Sequence, residues 1–148
     1  MQDHELSPDQ ARDLRALAGM IIPPSALYDV PGADDDKIFG DILRSLERDR
    51  DDVVCALSHL AAIGGGAFAD LDAERRAEVA AAFREVGGAP LAALVRVVLL
   101  CYYRDDRVMR SLGQELRAPF PKGHVVEQGD WSLLDVVRAR PPMYRSVE

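Results

Sequence analysis

The sequence predicts an all-α fold: a small bundle of about five to six helices with an extended, irregular C-terminal tail. Apolar residues recur at three- and four-residue spacing in successive segments, which is the period of an amphipathic helix. Polar N-cap residues or proline precede these segments, and glycine or proline ends several of them. We find no convincing strand pattern and no internal repeat. After residue 112, prolines and glycines interrupt the chain, so no long helix is expected to persist there.

The first helix has the clearest start. Ser7 is the expected N-cap, Pro8 suits the first helical position, and Gln10 completes a Ser-x-x-Gln capping box. The apolar residues that follow have helical spacing, and Pro23-Pro24 ends the helix.

Acidic runs open the next three helices, because carboxylates cap and stabilise helix N-termini. These runs lie at residues 34–36, 49–52 and 70–72. Glycines at 64–66 end the third helix as a flexible turn, and Gly87-Gly88 ends the fourth. We expect the fifth helix, residues 91–103, to be the central core helix, because it is apolar on nearly every side. A short sixth helix is predicted at 107–112, and one further turn at 132–137.

The charge distribution limits the possible partners. The chain carries 25 acidic and 18 basic residues, for a net charge of −7. Acidic and basic residues balance from residue 113 onward, so the excess lies in residues 1–112, and nucleic acid is an unsuitable partner. The longest apolar run is shorter than a membrane span, so we expect no membrane insertion. No export signal is visible, so we expect a cytoplasmic location; a periplasmic one would require co-export or removal of a signal.

No catalytic, cofactor-binding or metal-binding constellation stands out, so the chain is not expected to be an enzyme. Cys55 and His59 are four residues apart and could share a helix face, but zinc needs further ligands, and Cys101 lies far along the chain. We therefore interpret both cysteines as buried free thiols without a disulfide. The aspartates at 34–36 lack the ligand spacing of a calcium loop.

The tail differs from a disordered linker because it carries large apolar side chains, including the only tryptophan. We divide the chain into a helical body, residues 1–112, and a C-terminal arm, residues 113–148, which packs either on the same domain or on a partner. Aromatic, methionine and arginine side chains are enriched at interface centres. The predicted partner-binding residues are Phe120, Trp131, Leu133, Leu134, Arg138, Arg140, Met143 and Tyr144.

Short segments along most of the chain resemble the small-subunit family of gluconate 2-dehydrogenases, also called the subunit 3 or gamma-subunit family. The segments are Leu6-Ser7-Pro8, Leu14-x-x-Leu17-Ala18, Ile21-Ile22-Pro23, Phe68-x-Asp70-Leu71-Asp72-x-Glu74, Leu99 to Asp106, and Pro121-Lys122-Gly123 to Trp131-Ser132-Leu133-Leu134.

This resemblance implies a non-catalytic accessory subunit that stabilises or helps assemble a large FAD-dependent oxidoreductase of the glucose-methanol-choline type. The large subunit would hold the FAD and oxidise an alcohol or sugar, and a cytochrome subunit is often a third component. No cofactor is expected in this chain. Many family members carry a twin-arginine export signal, and this sequence shows none.

Two other functions remain open at the level of sequence. One is a self-contained helical adaptor or regulatory protein with no flavoprotein partner, whose tail packs on its own body. The other is a small metal or redox protein that uses Cys55, His59 and Cys101.

Overall fold

A computed structural model of the chain confirms the all-α class. The structure describes residues 6–118, 120–123, 125 and 127–141, and within these ranges it contains α-helices and short 3₁₀ turns but no strand. The α-helices are α1 (Pro8–Ile21), α2 (Asp36–Arg44), α3 (Arg50–Gly64), α4 (Ala73–Val86), α5 (Gly88–Tyr102), α6 (Asp106–Ser111) and α7 (Asp135–Arg138). The 3₁₀ turns are Glu47–Asp49, Phe68–Asp70 and Trp131–Leu134. The chain separates into two compact units, Met1–Leu116 and Arg117–Glu148.

The predicted starts of α1 to α4 and α6 are confirmed, and most use the expected caps. α5 begins earlier than predicted, at Gly88, one of the two glycines predicted to end α4. Ser7 and Gln10 form a complete capping box at α1, with each side chain bonded to the backbone N–H of the other. Asp35 and Asp72 cap α2 and α4 through their carboxylates. Asp49 precedes α3 but makes no capping hydrogen bond, because its carboxylate instead accepts from Arg96 of α5. At the other end of α3, Gly65 adopts the left-handed conformation that the glycine run predicts.

The core of the first unit is built around α3 and α5. α3 packs against α1, α4 and α5, and α2 packs on α5. α5 buries Leu94, Val97 and Val98, so its predicted position in the core is confirmed. Its apolar surface is nevertheless not buried on every side, because Leu99 and Leu100 are exposed. No described element covers that side of the helix sufficiently to bury them.

The 3₁₀ turn before α4 contributes a core residue that helical periodicity does not identify. Phe68 is fully buried within this turn. The turn is tied to α1 because the backbone N–H of Ala69 donates to the buried carboxylate of Asp13 at 2.8 Å. A buried carboxylate that accepts a backbone hydrogen bond leaves neither group unsatisfied. Asp13 therefore fixes the path of the chain between α3 and α4.

The two cysteines have different environments. Both are free thiols, as predicted, and Cys101 is buried. The prediction that Cys55 is buried is wrong, since its side chain is exposed. α3 turns Val53, Ala56 and Leu57 inward, and Cys55 lies between these positions on the outer face of the helix.

Among the described residues, no single helix is long and apolar enough to cross a membrane. α4 and α5 meet that criterion only when taken together, as a pair bent by 118°.

Candidate partner-binding surface

In the described part of the arm, residues 131–138 form a short helical element, which agrees with the predicted turn at residues 132–137. The carboxylate of Asp130 accepts from the backbone N–H of Ser132 at 3.0 Å and from its hydroxyl at 2.6 Å. These hydrogen bonds favour the charged form and lower the pKa of Asp130. The cap starts the 3₁₀ turn at Trp131, which continues directly into α7.

The large side chains of this element are exposed. Trp131 is 60% exposed, and its indole N–H donates to the side-chain oxygen of Gln128 at 3.2 Å. Leu133 and Leu134 lie on the same turn and are exposed as well. The indole and isobutyl groups of this turn offer exposed apolar area of the kind found at protein interfaces.

The other predicted arm residues have mixed outcomes. Arg138 donates to Asp135 at 3.2 Å one turn earlier in α7, and Arg140 follows that helix with an exposed side chain. Phe120 is strongly exposed at a separate point of the arm. The structure thus places Trp131, Leu133, Leu134 and Arg138 on one element, whereas Phe120 lies outside it. Met143 and Tyr144 lie outside the described residues.

The Cys55–His59 pair does form on α3, with 3.8 Å between the thiol sulfur and the imidazole Nε2. Among the described residues, no three histidine, cysteine or acidic side chains form a group that could hold a metal ion. Cys101 lies in a different environment, where the guanidinium of Arg104 is 3.5 Å from its sulfur. Burial is the main cause that raises the pKa of the Cys101 thiol, which makes it a poor nucleophile.

Arg107 forms a polar network that the sequence analysis did not identify. Its guanidinium donates to Asp105 at 2.9 and 3.2 Å and to Asp35 at 2.6 and 3.2 Å. Lys37 approaches the same Asp105 carboxylate at 3.3 Å. Asp35 caps α2 and Asp105 caps α6, so one arginine joins two helix N-termini. The hydrogen bonds from Arg107 lower the pKa of Asp35, and they lower that of buried Asp105 to about 2.

A groove on the body lies beside this network. It measures about 820 Å³, and Tyr28, Arg107, Arg110 and Ser111 are among the residues that line it. The hydroxyl of Ser111 donates to the backbone carbonyl of Tyr28 at 2.9 Å rather than to a general base. The guanidinium of Arg107 is occupied by Asp35 and Asp105. Ser111 and Arg107 therefore hold the chain before α2 against α6.

A second exposed surface lies on α5. Arg96, Leu99, Leu100 and Tyr103 have the spacing i, i+3, i+4 and i+7, which places them on one side of the helix and its C-cap. All four side chains are exposed. We call these four residues the α5 face. The signal was present in the sequence as the apolar run, but the run alone does not tell which side of the helix stays uncovered.

Compared with protein-family models, with curated proteins and with solved structures, the chain matches none of them. The class that the structure defines is an all-α protein, in which exposed apolar and arginine side chains lie on a C-terminal element and on the α5 face.

Proposed function

We propose that this chain is a non-catalytic accessory subunit that binds and stabilises the large subunit of an FAD-dependent alcohol or sugar dehydrogenase. The observation that carries the protein-binding role is the exposed element that starts at Trp131. Its indole and Arg138 are the kinds of side chain that dominate binding energy at protein interfaces, and its leucines add exposed apolar area around them. A Trp with more than half of its surface exposed gains apolar burial when a partner covers it.

The polar chemistry of the body supports a non-catalytic role. Arg107, Asp35 and Asp105 satisfy one another at helix starts, and Asp13 accepts from the backbone of Ala69. Each of these groups is used in holding two elements together. The proposed FAD site therefore belongs to the large subunit, which also supplies the acid–base chemistry.

The identity of the partner rests on the resemblance to the gluconate 2-dehydrogenase small subunits. Several residues that carry this resemblance stabilise the fold of this chain. Ser7 caps α1, Phe68 fills the core, Asp72 caps α4, and Asp105 caps α6. Much of the resemblance thus concerns residues that build the helical body, and one of its segments lies in the arm. A cytochrome would be a third component of the assembled enzyme.

The test begins with the reading frames that neighbour the gene of this chain: we expect one of them to encode a large FAD-dependent dehydrogenase subunit, with which the chain is then co-expressed. We expect the two to co-purify with a flavin absorption spectrum, and we expect the isolated chain to retain no flavin after gel filtration. Trp131→Ala should weaken association about 30-fold, as for a hot spot of about 2 kcal/mol. Val125→Ala removes another exposed apolar side chain of the arm and should leave the affinity within about twofold.

Three outcomes would contradict the proposal. A stable lone monomer with no affinity for the flavoprotein favours a self-contained adaptor or regulator. A Trp131→Ala variant whose monomer melts at a lower temperature but still associates assigns Trp131 to the chain's own folding. The third outcome is a stoichiometric metal ion that resists dialysis and is lost in a Cys55→Ala variant. It would favour a small metal or redox protein.

A further inference from the structure

The α5 face is an apolar surface on the helical body, separate from the arm. Leu99, Leu100 and Tyr103 are 37%, 60% and 51% exposed, although the opposite side of the same helix is in the core. A helix that is apolar on all sides is ordinarily buried on all sides. Contiguous exposed apolar side chains on a folded protein commonly mark an interaction site.

The α5 face borders a groove beside Leu100. It lies between α5 and the chain at residues 44–49 and encloses about 380 Å³. Val97, Leu100 and Cys101 provide its apolar side. The ring of Tyr103 stands edge-on against buried Tyr102, with 5.3 Å between centroids, which helps to hold it in place. A large apolar side chain from a partner would be desolvated in such a groove.

The charges around the groove indicate the chemistry of the partner. The side chains of Arg44, Arg48 and Arg104 are 71%, 83% and 58% exposed. The carboxylates with which they pair lie deeper, since Asp41 is 30% and Asp49 is 12% exposed. Glu47 is an exposed carboxylate that also lines the groove. Arg96 adds a further guanidinium on the α5 face, which is about half exposed and donates to the deeper Asp49. The outward charge is therefore mainly positive, on a chain whose net charge is −7.

We propose that the α5 face binds an acidic amphipathic segment of a partner protein. The apolar stripe of that segment covers Leu99, Leu100 and Tyr103, while its carboxylates meet the arginines around the groove. A second copy of this chain fits less well, because two copies would bring like-charged arginine rims together and each carries a net charge of −7. This inference goes beyond the proposed dehydrogenase function, since it concerns the body and not the arm.

The experiment uses the full chain and two synthetic helical peptides with the same leucine stripe. One peptide carries glutamates beside the stripe, and the other carries lysines at the same positions. We expect the glutamate peptide to bind at least tenfold more tightly by fluorescence anisotropy. Its amide chemical-shift changes should centre on Leu99, Leu100 and Tyr103 in the NMR spectrum of the chain.

Matched variants separate the site from general electrostatics. Arg48→Glu should weaken the glutamate peptide about tenfold, whereas Arg84→Glu on α4 should leave its affinity within about twofold. The two arginine side chains have similar exposure, 83% and 79%. Leu100→Ser should weaken binding of the glutamate peptide to a similar extent. Leu27→Ser, at another strongly exposed position, should leave the affinity unchanged. These positions are on the surface, so unchanged thermal melts will show that each variant folds.

Four results would overturn the inference. Equal affinities for the two peptides would show that the surface does not prefer an acidic segment. Chemical-shift changes centred away from the α5 face would show that the peptide binds elsewhere. Concentration-dependent shifts at this face in the free protein would instead indicate a second copy. Sedimentation with phosphatidylserine vesicles that Arg48→Glu abolishes, without peptide binding, would assign the surface to an anionic membrane.

Discussion

The hydrogen bonds of Arg107 predict a specific, pH-dependent loss of stability when Asp105 is neutralised. The Asp105 side chain is almost completely buried and accepts from the guanidinium of Arg107 and from its backbone N–H. Its pKa is about 2 in the folded chain, against 3.8 for a free aspartate. At 1.36 kcal/mol per pH unit, this difference corresponds to about 2 kcal/mol of stability at neutral pH. Asp105→Asn should lower the free energy of unfolding by that amount.

The sign of the pH dependence follows from the lowered pKa. The folded state favours ionised Asp105. The contribution of Asp105 to the free energy of unfolding is therefore complete above the unfolded-state pKa, and it is lost as the pH falls toward 2. The stability difference between wild type and Asp105→Asn should therefore be about 2 kcal/mol at pH 7 and about 1 kcal/mol at pH 3.

Urea unfolding of both proteins at pH 7, 4 and 3 measures this difference. Glu78→Gln is the matched control, because Glu78 pairs with Arg75 at 2.8 Å on the exposed side of α4. A surface pair of this kind contributes less than about 1 kcal/mol. A difference for Asp105→Asn that does not change between pH 7 and pH 3, or that is no larger than that of Glu78→Gln, would refute the reasoning.

Three further predictions test the body. Val98→Asp should abolish soluble expression because it buries an unpaired charge, whereas Leu100→Asp on the exposed side of α5 should remain soluble; equal soluble fractions would contradict the burial of Val98. Ser7→Ala should lower the stability by about 1 kcal/mol and the melting temperature by about 3 °C, and Ser7→Asp should melt close to wild type. Iodoacetamide followed by mass spectrometry should label Cys55 in the native chain and Cys101 only after unfolding.

The local signals in the sequence were sufficient to predict where most of the helices begin, although α5 begins earlier than expected. A capping box such as Ser7 to Gln10 acts within one turn, and aspartates such as Asp72 act on the N–H groups that immediately follow them. These interactions need no distant partner. The division of the chain into helices and the position of most turns therefore followed from neighbouring residues alone.

The wrong and missing assignments all depend on residues that are far apart in sequence. The side of α3 that carries Cys55 is decided by the helices packed on the other side. Phe68 enters the core through a turn whose position depends on Asp13, 56 residues away from Ala69. An apolar run such as α5 also carries too little polar contrast to show which side faces outward.

The same distinction bears on where binding can be sought in this protein. Asp35, Asp105 and Arg107 have buried or mutually bonded polar groups, and the bonds from Arg107 to Asp35 join α6 to the start of α2. Replacing such a residue would alter stability before it altered recognition. Trp131 and Leu100 have the opposite property, because each exposes a large apolar side chain with arginine nearby. Variants at these two positions should change association while leaving the melting temperature close to that of wild type. Stability and binding are therefore separable by mutation in this chain.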